Sequence, residues 1–332
     1  MTSANGTNTR IPASDWGLAL GGGGSVGIAY VAGALGALAD HGLDLPSAGL
    51  LVGTSAGAVA AAALRNGAKP DELLTFAQAA PDDVATAAGR SPRHFERAWS
   101  DGLELCHRVV GSGAVVARSV MRVPLPLPSP AIEALFPAGL FRPRGDGMAT
   151  RLGDVWPEDP LWVVAVDLAT RRRVALGRRP EDHLLPLHRA VMASCAVPGF
   201  YEPVVLAGRR FVDGGVNSTT SIDMAVRSGC SRVIAVVPLG YEPEGRPRAA
   251  QRLIRRAAVR GVRRELGRAG DRARDILVIQ PHAEDLHLHG TNFFRGHPND
   301  RVAARARERT HELLQRPEVA DFLGELAAPP NS

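Results

Sequence analysis

Gly53-Thr54-Ser55-Ala56-Gly57 follows the apolar run Leu50 to Val52 and opens the alanine-rich run Ala58 to Leu64. A serine set between small residues where a strand turns into a helix is the pattern of a nucleophile elbow. The sharp turn lifts the side chain off the backbone, and only small neighbours let the chain pass so closely. The helix that follows points its positive N-terminal end at the reacting centre. In a chain with 36 glycines the pentapeptide alone is equally compatible with a structural turn, so its meaning depends on its surroundings.

Upstream, Trp16 to Leu20 reads as a short strand running into Gly21-Gly22-Gly23-Gly24-Ser25-Val26-Gly27, then a helical run from Ile28 to Ala39. Strand, glycine loop, helix, strand, elbow, helix is the rhythm of a parallel α/β sheet. Further on, Leu161 to Val166 with Arg173 to Leu176, and Val204 to Leu206 with Arg210 to Val212, read as hairpins. Leu187 to Ala193 and Ile222 to Ser228 read as helices, and Val233 to Val237 and Ile276 to Ile279 as buried strands. Val302 to Leu323 is helical and charged, with Pro317 dividing it. Residues 81–150 are looser and contain Pro124 to Pro130, which suggests a mainly helical insertion or cap. No repeat or internal domain boundary is visible.

Composition restricts the function classes. With 332 residues, 45% hydrophobic and 22% charged, the chain can bury a sizeable core. Cys106, Cys195 and Cys230 show neither metal-ligand spacing nor a disulfide framework, so no metal is expected and a reducing compartment is. No apolar run is long enough to span a bilayer. Residues 1–15 are polar and read as a disordered leader without an export signal. The expected location is cytoplasmic, with peripheral contact at a membrane.

The glycine loop crowds backbone N–H groups around one point at a helix N-terminus. Such a point stabilises an anion, either a phosphate or the oxyanion of a tetrahedral intermediate. Gly22-x-Gly24-x-x-Gly27 fits the dinucleotide fingerprint. That reading wants an acidic residue at the tip of the next strand, which here ends in Gly53-Thr54-Ser55, while Asp40 and Asp44 precede the strand. No Gly-Lys-Ser/Thr follows to make a P-loop. Nucleotide binding is therefore the lesser alternative, and no cofactor is expected.

A reactive serine needs a base. Asp213 ends a strand and precedes Gly214 and Gly215, although Asp-Gly-Gly alone is equally a plain turn. His282, His287, His289 and His297 come late in the chain, without a motif around them. Taken in order, Gly21 to Gly27, Gly53 to Gly57 and Asp213 to Gly215 resemble the patatin-like phospholipase family. The run Ala193-Ser194-x-Ala196-x-Pro198-x-Phe200-x-x-Pro203 is similar to it as well.

The resemblance implies a three-layer α/β/α sandwich with a mostly parallel central sheet, occupying 16–332 as one acyl-hydrolase domain. It implies a serine–aspartate dyad cleaving acyl esters of lipids, with Ser55 as nucleophile and Asp213 as base. Backbone amides of Gly22, Gly23 and Gly24 would form the oxyanion hole, and Gly27, Gly53, Gly57, Gly214 and Gly215 complete the motifs. One departure is Val26, where the family often has arginine or lysine, which puts a phospholipid head-group contact in doubt. A catalytically silent, membrane-associated scaffold of the same fold is the competing class.

The net charge of +5 is uneven. Residues 246–275 hold eleven arginines against Glu265, Asp271 and Asp275. There Ile254, Ala258, Val262 and Leu266 form an apolar stripe, with Arg252, Arg256, Arg260, Arg263 and Arg264 on neighbouring faces. The pattern fits a surface helix packed on the sheet. It equally fits an interfacial helix drawn to anionic lipid. Aromatic residues are absent from it, which argues against nucleic acid as a partner.

Overall fold

Side chains alternate across the strands, and the alternation builds two cores. The computed structural model describes residues 16–78, 146–198, 201–242, 246–291, 293 and 299–327. Its strands are β1 Trp16–Leu20, β2 Leu50–Thr54, β3 Leu161–Asp167, β4 Arg173–Leu176, β5 Val204–Leu206, β6 Arg209–Asp213, β7 Arg232–Val236 and β8 Ile276–Ile279. The helices are α1 Gly24–Asp40, α2 Ala56–Arg65, α3 Leu73–Gln78, α4 Asp146–Leu152, α5 Leu187–Ser194 and α6 Ile222–Arg227. They continue with α7 Ala249–Ala269, α8 Leu286–His289, α9 Asp300–Leu314 and α10 Pro317–Ala327. The expected leader, nearly all of the expected insertion, Phe200 and His297 lie outside the described residues.

The sheet runs β5-β6-β3-β2-β1-β7-β8, with β4 also paired to β3. From β3 through β2, β1 and β7 to β8 every pairing is parallel, while β4, β5 and β6 pair antiparallel. Leu18, Leu20, Leu51, Val163, Ile234 and Val236 face one core, shared with α1, α2, α5 and α9. Their neighbours Ala19, Leu50, Val52, Trp162, Val164, Val233 and Ala235 face the other, shared with α6 and α7. The period of two in the strands thus produces three layers, the expected α/β/α sandwich with a mostly parallel sheet.

Two helices lie unusually deep. Every residue of α2 except Arg65 is buried, and in α1 burial runs unbroken from Ser25 to Leu38. Small residues make this possible. Gly33 of α1 faces the Ala303 carbonyl of α9 so closely that any side chain there would overlap it. The β5–β6 hairpin turns through Ala207 and Gly208, both at positive φ (45° and 73°), the backbone that matches strand twist in a two-residue turn. Pro317 opens α10, where a missing N–H costs nothing.

The stripe expected on α7 is only part of its buried side. Ala258 and Val262 are buried and Leu266 packs against the same core, while the side chain of Ile254 lies outside the described ones. Alongside them, however, Gln251, Arg255 and Glu265 are buried as well, and Arg255 is wholly inaccessible. Hydrophobic periodicity counts charges as outward, so it cannot find a buried arginine whose donors are satisfied inside.

Candidate active site

Ser55 occupies the single residue between β2 and α2, at φ 54° and ψ −121°. A non-glycine residue there carries backbone strain, which persists only where the surroundings hold it. Here Ser55 N–H donates to Ser194 Oγ at 2.8 Å, and Ser194 Oγ donates to the Val164 carbonyl at 2.6 Å. A fully buried serine of α5 thereby fastens the elbow to β3. The elbow also needs room beneath it, and a Cβ on Gly57 would overlap the carbonyl of Leu20. Ser55 itself is 9% exposed.

The glycine loop lies directly beside this serine. A Cβ on Gly22 would sit 3.1 Å from Ser55 Cβ and 3.8 Å from its Oγ. The loop is held from the other side: Gly21 N–H donates to Val236 O (2.9 Å) and Gly22 N–H to Thr219 O (2.8 Å). Gly22 therefore lacks a spare donor, which corrects the expectation that its amide joins the oxyanion hole. The amides of Gly23 and Gly24 have no hydrogen-bond partner among the described residues. Gly27 closes the loop by donating to Gly23 O at 2.8 Å.

Strand β3 acts as the ruler that brings Asp213 to Ser55. Thr54 is registered against Val164, and Asp213, arriving on antiparallel β6, against the next residue, Ala165. Gly214 makes the approach possible, because a Cβ there would overlap Val164 O and lie 3.1 Å from Thr54 Cγ2. The register sets the Asp213 carboxylate beside the Ser55 hydroxyl, and the carboxylate accepts the Gly215 N–H at 2.6 Å. Burial pushes the carboxyl pKa up to about 6, and the neighbouring Ser55 hydroxyl and Gly215 N–H only partly oppose that. The carboxylate is 4% exposed.

The run from Ala193 to Pro203 supplies much of the support. Ser194 holds the elbow, and Ala196 O accepts the Asp213 N–H at 2.9 Å. Cys195 lies near Ser55 and Asp213; burial, then the negative charge of Asp213, push its thiol pKa up, so it stays protonated. Sequence reasoning notes this run but gives Ser194 and Cys195 no role. The run's position just before the aspartate motif is the signal that could have found them.

A second buried carboxylate holds the segment after Asp213. Glu265 of α7 accepts from Ser218 Oγ, from Thr220 Oγ1 at 2.6 Å and from Ile222 N–H at 3.0 Å. Arg173 stands 3.6 Å away. Burial and the neighbouring Asp223 raise its pKa. Thr219, the acceptor for Gly22, sits inside the segment so held. The described late histidines are engaged elsewhere: His282 with Glu242 (3.1 Å), His287 with Glu284 O (2.7 Å) and His289 with Arg255 (3.0 Å).

The sequence of a known family fits this geometry. The patatin-like phospholipase model matches residues 18–226, more than half of the chain, and spans all three motifs. The chain belongs to the patatin-like phospholipase family. Among solved structures, VipD from Legionella pneumophila is similar at 14% identity and a TM-score of 0.45, over 98% of this chain and 72% of that one. The type III effector protein ExoU is similar at 17% identity and a TM-score of 0.29, over 96% and 71%. No curated protein matches the sequence. It is the family match that makes the assignment. It stops within α6, so α7 to α10 lie beyond the patatin-like region.

Proposed function

We propose that this patatin-like protein is a lipid acyl hydrolase that cleaves carboxylic esters through a Ser55–Asp213 dyad. The observation that carries the reading is the buried Asp213 carboxylate brought beside the elbow serine by the shared register on β3. A base need only lie within hydrogen-bond reach of the proton it takes and titrate near working pH. A pKa of about 6 leaves Asp213 mostly ionised at neutral pH and still basic enough to accept that proton.

In the first half-reaction Ser55 Oγ attacks the ester carbonyl carbon as its proton passes to Asp213. The carbonyl oxygen becomes an oxyanion facing the Gly23 and Gly24 amides, with the α2 N-terminus adding positive potential. The tetrahedral adduct then expels the alcohol, which takes the proton from Asp213. In the second half, water gives a proton to Asp213 and attacks the acyl-Ser55 carbonyl. Collapse releases the fatty acid and returns the proton to Ser55. Gly22 contributes by its missing side chain, which lets the loop lie against Ser55, and its amide stays with Thr219. Val26 offers no charge to a head group, so the reading commits to ester cleavage rather than to one phospholipid.

A fluorophosphonate probe should label the wild type and not Ser55→Ala, and the wild type should hydrolyse a water-soluble short-chain ester. Equal labelling of both proteins would remove Ser55 as nucleophile. Absence of both labelling and hydrolysis would favour a silent scaffold of the same fold.

A further inference from the structure

The proposed reaction takes its substrate from a lipid surface, and the role assigned below to helix α7 rests on that reading. This helix has two unlike sides. On the inner one, Arg255 donates to the carbonyls of Pro238 (2.6 Å) and Gly240 (3.0 Å) and to Gln251 Oε1 (3.0 Å). Pro238 packs on the glycine loop, since a Cβ on Gly23 would meet it at 3.2 Å. Ten residues further along, Glu265 grips the segment that holds Gly22. Both segments flanking the glycine loop are thus fastened to this one helix.

On the outer side, Arg252, Arg256, Arg260 and the adjacent Arg263 and Arg264 are exposed, each of the last two a helical turn beyond Arg260. None makes an ion pair among the described residues. The only carboxylate in α7 is Glu265, on the inner side. Leu253 stands among the arginines at 73% exposure. Helix α9 treats its arginines differently: Arg305 and Arg309 share Asp285, and Arg307 binds Asp40. Arginines that pair within the chain need no other partner. Five cations on one face repel each other until an anionic surface relieves them.

We infer that the outer face of α7 is a docking surface for an anionic lipid bilayer, its five arginines meeting lipid phosphates and Leu253 entering the head-group layer. A row of cations along a helix of 21 residues, about 30 Å long, matches a continuous sheet of mobile phosphates. A single-stranded nucleic acid would be met by stacking aromatics, and α7 has none. No helix among the described residues is long and apolar enough to cross a membrane, so this contact is peripheral. Docking through α7 would set the bilayer against the helix that carries both rims of the glycine loop.

The test is co-sedimentation of the full chain with phosphatidylcholine vesicles, with and without phosphatidylglycerol, across salt. The Ser55→Ala protein is used so that hydrolysis cannot alter the vesicles. Binding should require phosphatidylglycerol and weaken with salt. Combined Arg252→Gln, Arg256→Gln, Arg260→Gln and Arg263→Gln should cut it by several hundredfold, at roughly fivefold per arginine, with the thermal transition kept. Binding that ignores lipid charge, or survives the four substitutions, overturns the proposal. So does tighter capture of a single-stranded oligonucleotide than of anionic vesicles at the same salt. Hydrolysis of a soluble ester by the wild type is read separately. An active enzyme that fails to sediment defeats the docking surface alone, whereas an inactive one that sediments defeats only the dyad.

Discussion

Asp213 and Glu265 are both buried, both have raised pKa values, and both act on the same ten residues of chain. Asp213 opens the segment; Glu265 grips its far end from α7. They differ in what donates to them. Glu265 takes two hydroxyls and a backbone N–H from the segment it holds, with Arg173 close by. Asp213 takes one backbone N–H and stands beside the hydroxyl of a serine held at a strained turn. A carboxylate saturated by fixed donors is a fastener. One left beside a single exchangeable proton is free to take it. Burial, which looks the same in both cases, therefore does not distinguish structure from chemistry; the donors do.

The largest effect that could break this comparison is on turnover. Asp213→Asn keeps the shape and the Gly215 contact but removes the proposed base, so ester hydrolysis should fall by about a thousandfold or more. The folded signal by circular dichroism should remain. Glu265→Ala should act on stability instead. It strands two hydroxyls and an amide in a buried site, where each unsatisfied donor costs about 1–3 kcal/mol, while Arg173 keeps its bidentate pair with Asp223. Urea unfolding would measure it. If Glu265→Ala left stability untouched and Asp213→Asn unfolded the protein, the assignment of fastener and base would be reversed.

A smaller effect lies in the pH profile. The base works ionised, so kcat/KM should fall about tenfold per unit as pH drops below about 6. The residual activity of Asp213→Asn should lack that limb. A wild-type profile flat from pH 5 to 8 would mean that Asp213 is not the titrating group.

How much of this could be read from the chain obeys the same division. Consecutive apolar residues give away β1, β2 and β7, buried on both faces, and also β8, which is expected buried but lies half-buried at the sheet edge, while glycine clusters give away the turns, because burial and close approach are local demands. The meeting of Ser55 with Asp213, about 160 residues apart, is not local. It depends on β6 joining β3 antiparallel one position beyond the Thr54–Val164 pair, and only the ordered motifs hinted at it. Which amides remain free is less legible still. Gly22 looks like its neighbours in sequence, yet Thr219 occupies its N–H. Arg255 is hidden for the opposite reason, since two of its four partners are carbonyls of the loop at Pro238 and Gly240, which carry no sequence signature.

The finest test of the comparison concerns stability, and its sign is opposite for the two residues. The Asp213 pKa rises from 3.8 to about 6 on folding. The folded state therefore binds this proton more tightly than the unfolded chain does. The stability this contributes is complete below about pH 4 and lost as pH rises through about 6. At pH 8 the wild type consequently carries a buried carboxylate that opposes folding, by no more than about 3 kcal/mol for a shift of roughly two units. Asp213→Asn, neutral at every pH, should melt at a higher temperature than the wild type at pH 8, and the difference should vanish near pH 4. Glu265→Ala should melt lower at both, because alanine removes the acceptor shared by two hydroxyls and an amide, which outweighs relief of the buried charge. An Asp213→Asn protein less stable than the wild type at pH 8 would mean that its carboxylate, like that of Glu265, holds the fold together.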